Sequence, residues 1–70
     1  MNLAEKTRVL LAYRNMNMKE LAKRMNISQQ SLSQRMLKNS FREDELVQIA
    51  EICNATFEGS FTLNDTKKTI

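Results

Sequence analysis

Apolar residues recur at helical spacing through the first three-quarters of the chain, then at strand spacing. Leu3, Leu10 and Leu11, with Thr7 between them, form one stripe running to about Arg14. Asn2 precedes it as an N-cap, and Glu5, three residues on, completes a capping box. Asn15-Met16-Asn17 breaks the pattern. Asn tolerates a left-handed backbone, and its side chain caps the helix that follows. Leu21, Ala22 and Met25 share one face of a helix over about 18–25, with Lys19, Glu20, Lys23 and Arg24 on the other. Asn26 offers a left-handed exit where glycine is absent, and Ile27 turns inward. Ser28 starts a third helix, about 28–38, whose inward positions are Leu32 and Met36.

Ser40 and Glu43 read as another capping box. Leu46, Ile49, Ala50 and Cys53 line the inside of a helix ending at about Cys53. Glu43-Asp44-Glu45 suits the positive end of its dipole, and Asn54 is its stop. From Thr56 the period becomes two: Phe57, Gly59, Phe61 and Leu63 alternate with Glu58, Ser60 and Thr62. This predicts a strand over Phe57–Leu63, with Asn64-Asp65 turning the chain into a short return strand, Thr66–Ile70. The expected division is a helical domain over 1–54 and a strand or hairpin arm over 55–70. Such a hairpin is barely stable alone. Its partner is either the chain's own helices or a second copy, with Phe57, Phe61 and Leu63 as candidate dimer contacts.

Composition narrows the function. Seventy residues hold one core. There is no His, a single Cys and a single Gly, which removes an imidazole base, a thiolate metal cluster and a glycine-rich phosphate loop. No catalysis, metal, cofactor or small-molecule ligand is expected. No apolar run approaches a membrane span and the N-terminus does not read as a signal peptide, so a cytoplasmic protein with no membrane partner is expected.

Charge is uneven. Residues 1–42 carry nine Lys and Arg against two acids, a net +7. Residues 43–70 carry two against six, a net −4. A basic half attracts polyanions.

The turn between the second and third helices is short, and Ala22 is small where they pack closest. These helices must cross sharply, as in a helix-turn-helix. On the third helix Gln29, Gln30, Ser33, Gln34 and Lys38 lie away from Leu32 and Met36. Glutamine presents a donor and an acceptor on one planar head, which matches the N6/N7 edge of adenine. The helix carries no acid to repel phosphate.

Leu21-Ala22, Met25-Asn26-Ile27-Ser28 and Leu32-Ser33 resemble the Cro and phage-repressor family of helix-turn-helix transcription factors, over residues 3–54. Asn26 stands where that family usually has Gly. The run Ser28-Gln29-Gln30-Ser31, with Gln34 later, looks like the recognition helix of lambdoid phage repressors. The resemblance implies a mainly α, four- or five-helix lambda-repressor-like domain with a C-terminal strand or hairpin. It also implies base contacts from Gln29, Gln30 and Gln34, joined by Ser33, and a phosphate contact from Asn17. Met18 departs from the family by occupying a position that often holds a phosphate-binding Gln. Lys19, Ser28, Arg35, Lys38, Asn39 and Arg42 complete the expected phosphate clamp, with Met36 serving the core and Arg35 thereby free. The expected function is sequence-specific binding of double-stranded DNA by a repressor-type regulator. Two copies about 34 Å apart would sit on a near-palindromic operator as a homodimer. The alternative is a protein-interaction module, antitoxin-like or adaptor, working through the acidic segment and the apolar strand.

Overall fold

The computed structural model describes residues 1–70. Four helices, α1 (Leu3–Tyr13), α2 (Met18–Met25), α3 (Gln29–Lys38) and α4 (Glu43–Ile52), precede the strands β1 (Ala55–Phe57) and β2 (Phe61–Leu63). The chain is mainly α, with a short antiparallel hairpin at its C-terminus.

One device ends every helix. Asn15, Asn26, Asn39 and Asn54 stand just past α1, α2, α3 and α4 with φ of 53°, 61°, 51° and 53°. Most residues resist this left-handed backbone, and asparagine tolerates it better than most. At the first three, the next residue donates its N–H back to a carbonyl five positions earlier: Met16 to Leu11, Ile27 to Ala22 and Ser40 to Arg35, each at 3.0 Å. The Asn itself donates to a carbonyl three positions earlier. This paired pattern satisfies carbonyls that a helix end leaves without partners. Met16 and Ile27 then pack against the core beside Leu11 and Ala22, as the motif favours.

N-caps follow the sequence reading at three helices. Asn2, Asn17 and Ser28 accept from the N–H groups of Glu5, Glu20 and Ser31 at 2.8, 2.8 and 3.0 Å. The expected Ser40/Glu43 box does not form. The Ser40 N–H closes α3, so the chain runs on, and α4 starts after Arg42, whose N–H donates to Glu45 Oε1 at 2.9 Å. Phe41 and Leu46 flank this start and both join the core, in the positions of a hydrophobic staple.

The C-terminal region differs more. The expected single strand Phe57–Leu63 is folded in half at Glu58-Gly59-Ser60, where Glu58 N–H donates to Ser60 O at 2.9 Å and Gly59 adopts φ 77°. Ala55 faces Leu63 and Phe57 faces Phe61, whose ring centroids lie 5.2 Å apart. A three-residue turn preserves the odd-even alternation, so periodicity alone does not reveal it. The expected return strand Thr66–Ile70 is reduced to one bridge, Thr62 to Thr69, and two flanking backbone bonds.

The hairpin packs onto the helices. Phe61 and Leu63 are buried in one cluster with Leu10, Leu21, Leu32, Ile49 and Cys53. Both side chains fill the protomer's own core, and Phe57 is half-buried against it. Arg14 locks the ends together. Its guanidinium donates to Cys53 O at 2.7 Å, to Asn54 O at 3.0 Å and bidentately to Asp65 at 2.8 and 3.0 Å. That hydrogen bonding holds the Asp65 carboxyl well below the usual carboxylate range and raises Arg14 above its ordinary value.

Candidate nucleic-acid interface

α2 and α3 are joined by Asn26-Ile27-Ser28 and pack on each other through Leu21, Ala22, Met25 and Leu32. Ala22 and Leu32 are buried. This is a helix-turn-helix, and it determines which side of α3 meets solvent. Leu32 and Met36 point inward. Gln29, Gln30, Ser33, Gln34 and Lys38 are all exposed. At about 100° per residue, Gln30, Ser33 and Gln34 fall within one arc of roughly 100°. None of the three glutamine head groups has a hydrogen-bond partner within the chain, so each keeps both halves of its amide for a ligand.

The expected phosphate ligands fall into three groups. Lys19 and Lys38 are exposed and lack an ion-pair partner. Asn17 and Ser28 spend an oxygen lone pair on helix capping but remain exposed, which leaves the Asn17 amide N–H groups and the Ser28 hydroxyl proton to donate outward. Arg35, Asn39 and Arg42 have internal partners.

Arg35 is the main correction. It is not free. Its Nε lies 2.9 Å from Glu45 Oε2 and its Nη1 donates to Ser31 Oγ at 3.0 Å. The Glu45 side chain is only 10% exposed, so its charge requires a cationic partner. Arg35 points toward α4 to supply one and braces α3 against it. Asn39 is similarly occupied: besides its left-handed backbone, its Oδ1 accepts from Ala4 N–H at 2.9 Å and ties the start of α1 to the end of α3. Arg42 sits 3.3 Å from Asp44 and 3.9 Å from Glu45 but is 76% exposed, so its local pairs are weak and easily exchanged.

Two further residues escaped the sequence reading. In the sequence Glu45 reads only as a charge in the first turn of α4, yet it is the anchor for both Arg35 and the Arg42 N–H. Its place three residues after the true N-cap is the signal that would have found it. Leu37 lies on the exposed side of α3 and is 79% exposed. It stands seven residues after Gln30, a spacing visible in the sequence.

Two shallow depressions mark the surface, one lined by Leu11, Ala12, Asn15, Met16 and Asn17, the other by Val9, Ala12 and Tyr13. Their only polar side chains are Asn15 and Asn17 in the first and the Tyr13 phenol in the second. No three His, Cys, Asp or Glu side chains gather as a metal site, and no helix is long and apolar enough to cross a membrane.

Compared with known proteins, the chain has no significant match among curated sequences or solved structures. The family model for the bacteriophage CI repressor helix-turn-helix domain matches residues 6–59, which take in all of α2, α3 and α4 and the first strand. The match spans more than half the chain and its helix-turn-helix is the one the structure builds. The chain belongs to the bacteriophage CI repressor helix-turn-helix domain family, a family of DNA-binding regulators.

Proposed function

We propose that this protein is a transcriptional repressor that recognises a specific double-stranded DNA site with α3 in the major groove. Gln29, Gln30, Ser33 and Gln34 contact base edges. Lys19, Lys38, Asn17 and Ser28 engage the backbone, and Arg42 joins them by exchanging Asp44 for phosphate. The observation that carries this reading is the glutamine side of α3: exposed, without acid, and unpartnered, directly behind a helix-turn-helix core. A solvated helix has no need of three unpaired amides in one region.

The protein acts as a homodimer on a near-palindromic operator, because one α3 covers too few base pairs for useful affinity and two protomers about 34 Å apart reinforce each other. Bound there, in the cytoplasm, it represses by obstructing polymerase.

The test is selection of duplexes from random DNA, then titration of the selected site by fluorescence anisotropy at several salt concentrations. An inverted repeat is expected. The double variant Gln30→Ala, Gln34→Ala should lose preference for that site over random DNA by about 100-fold, since each good bidentate contact contributes about 1–3 kcal/mol. Retained preference in a folded variant overturns the assignment.

A further inference from the structure

Leu37 has no structural employment. Among the large apolar side chains it is the most exposed at 79%, against 74% for the terminal Met1, 46% for Tyr13 and 40% for Val47. It lies roughly 140° around α3 from Leu32, so no rotamer brings it into the core. A lone surface leucine is common and by itself means little. The position of this one is what matters.

Seven residues separate Leu37 from Gln30, which is two helical turns less about 20°. Leu37 therefore stands almost directly in line with Gln30, with Gln34 between them on the neighbouring row. The offset along the α3 axis is about 10.5 Å, enough to carry Leu37 to a base pair beyond the one at Gln30. The line of side chains reads amide, amide, then a branched alkyl group. In the major groove, the one base-edge feature that an alkyl group recognises better than an amide is the C5 methyl of thymine.

We infer that Leu37 is a specificity-determining residue that packs against a thymine methyl in the major groove, beyond the base pair read by Gln30. This rests on the reading of α3 as the recognition helix. Leu37 donates and accepts no hydrogen bond, so it discriminates through the methyl alone. Thymine and deoxyuridine present the same hydrogen-bonding edge and differ only in that group.

The experiment takes the duplex selected by the wild-type protein and replaces its thymines with deoxyuridine one at a time. Each duplex is titrated with wild-type protein, Leu37→Ala and Leu37→Met. In each half-site one replacement should weaken wild-type binding about fourfold, the worth of one buried methyl. The same replacement should leave Leu37→Ala unaffected, and Leu37→Met should keep most of the wild-type discrimination. A replacement that costs wild type and Leu37→Ala equally assigns the methyl to another residue and overturns the inference. So does a uniform loss of affinity in Leu37→Ala with no sensitivity to any single methyl, which assigns Leu37 to the sugar edge. Both outcomes leave DNA recognition by α3 intact. Failure of the wild-type protein to select any duplex is a different result: it removes the DNA reading and this inference with it. Because Leu37 is exposed, both variants should melt within about 2 °C of wild type.

Discussion

Replacing Arg35 with methionine separates a phosphate ligand from an internal brace. Methionine keeps most of the side chain's apolar length and removes the guanidinium. The deletion strands the Glu45 carboxylate, which is 10% exposed and loses a partner at 2.9 Å. Removing one member of a fully buried pair costs about 3–5 kcal/mol. A fully exposed pair contributes about 0–1 kcal/mol. Arg35 is 28% exposed, and Glu45 keeps the Arg42 N–H at 2.9 Å and the Arg42 guanidinium at 3.9 Å. These reduce the cost to about 1–2 kcal/mol. A domain of this size has a total stability of roughly 4–10 kcal/mol, so the melting midpoint should fall by about 5–15 °C. Circular dichroism or calorimetry measures this directly. The paired measurement is the dependence of DNA affinity on salt, taken well below the variant's melting temperature. Each cation on a phosphate adds about 0.9 to the slope of log K against log salt. Arg35→Met should leave that slope unchanged, whereas Lys38→Ala should flatten it by about 0.9 per protomer. If Arg35→Met melts like wild type and flattens the slope by a full contact, the brace is wrong and the arginine serves the DNA.

Phe61→Ala empties the part of the core that the hairpin fills, and should cost about 3–5 kcal/mol by urea unfolding; a loss under about 1 kcal/mol means the hairpin is dispensable. For acid stability, the Asp65 carboxyl titrates lower in the folded chain than unfolded, because Arg14 hydrogen-bonds its charged form. Its contribution is thus full above the unfolded pKa of about 3.9 and is lost as pH falls below it. Asp65→Asn should accordingly narrow its gap from wild type in melting temperature between pH 6 and pH 2; a gap that stays constant over that range refutes the pair. Burial pushes the Cys53 thiol up, so a thiol reagent at pH 7.5 should modify it only at the rate of unfolding, and rapid modification of the native protein contradicts its position in the core.

The helices were legible because their determinants are local. Asn2, Asn17 and Ser28 cap from the positions the sequence suggests, and a chain with one Gly ends its helices at Asn for a reason that a single residue's sterics supply. The exposure of Gln29, Gln30, Ser33 and Gln34 followed from the placement of Leu32 and Met36 on the opposite side. What was not legible depends on contacts between distant segments. The turn at Gly59 leaves the alternation of Phe57, Phe61 and Leu63 undisturbed, so one strand and two read alike. The displacement of α4's start from Ser40 to Arg42 depended on the Ser40 N–H already being used by α3. The destination of Arg35 depended on Glu45, ten residues away on another helix.

The misplacement of Arg35 has a more general cause in the division of labour between arginine and lysine. Every ion pair in the chain is made by an arginine: Arg14 with Asp65, Arg24 with Glu20, Arg35 with Glu45, and Arg42 with Asp44 and Glu45. No lysine makes one. The planar guanidinium can hold a carboxylate while its remaining N–H groups meet a hydroxyl or carbonyl, as Arg35 does with Ser31 and Arg14 with Cys53 and Asn54. An ammonium lacks that rigid fork and is more strongly hydrated, so Lys19, Lys23 and Lys38 remain outside. Counting all basic residues as available to DNA therefore overstates the field that a polyanion meets. Four arginines are already partly neutralised by acids of the same chain, and the free cations near α2 and α3 are lysines. If the proposed reading holds, such point charges set attraction and salt dependence without fixing register, and register falls to the rigid parts of the surface: the capped starts of α2 and α3 and the glutamine side of α3. In this protein Arg14 and Arg35 hold distant segments together; on the proposed reading, the exposed lysines draw in the polyanion and the uncharged side chains discriminate between sequences.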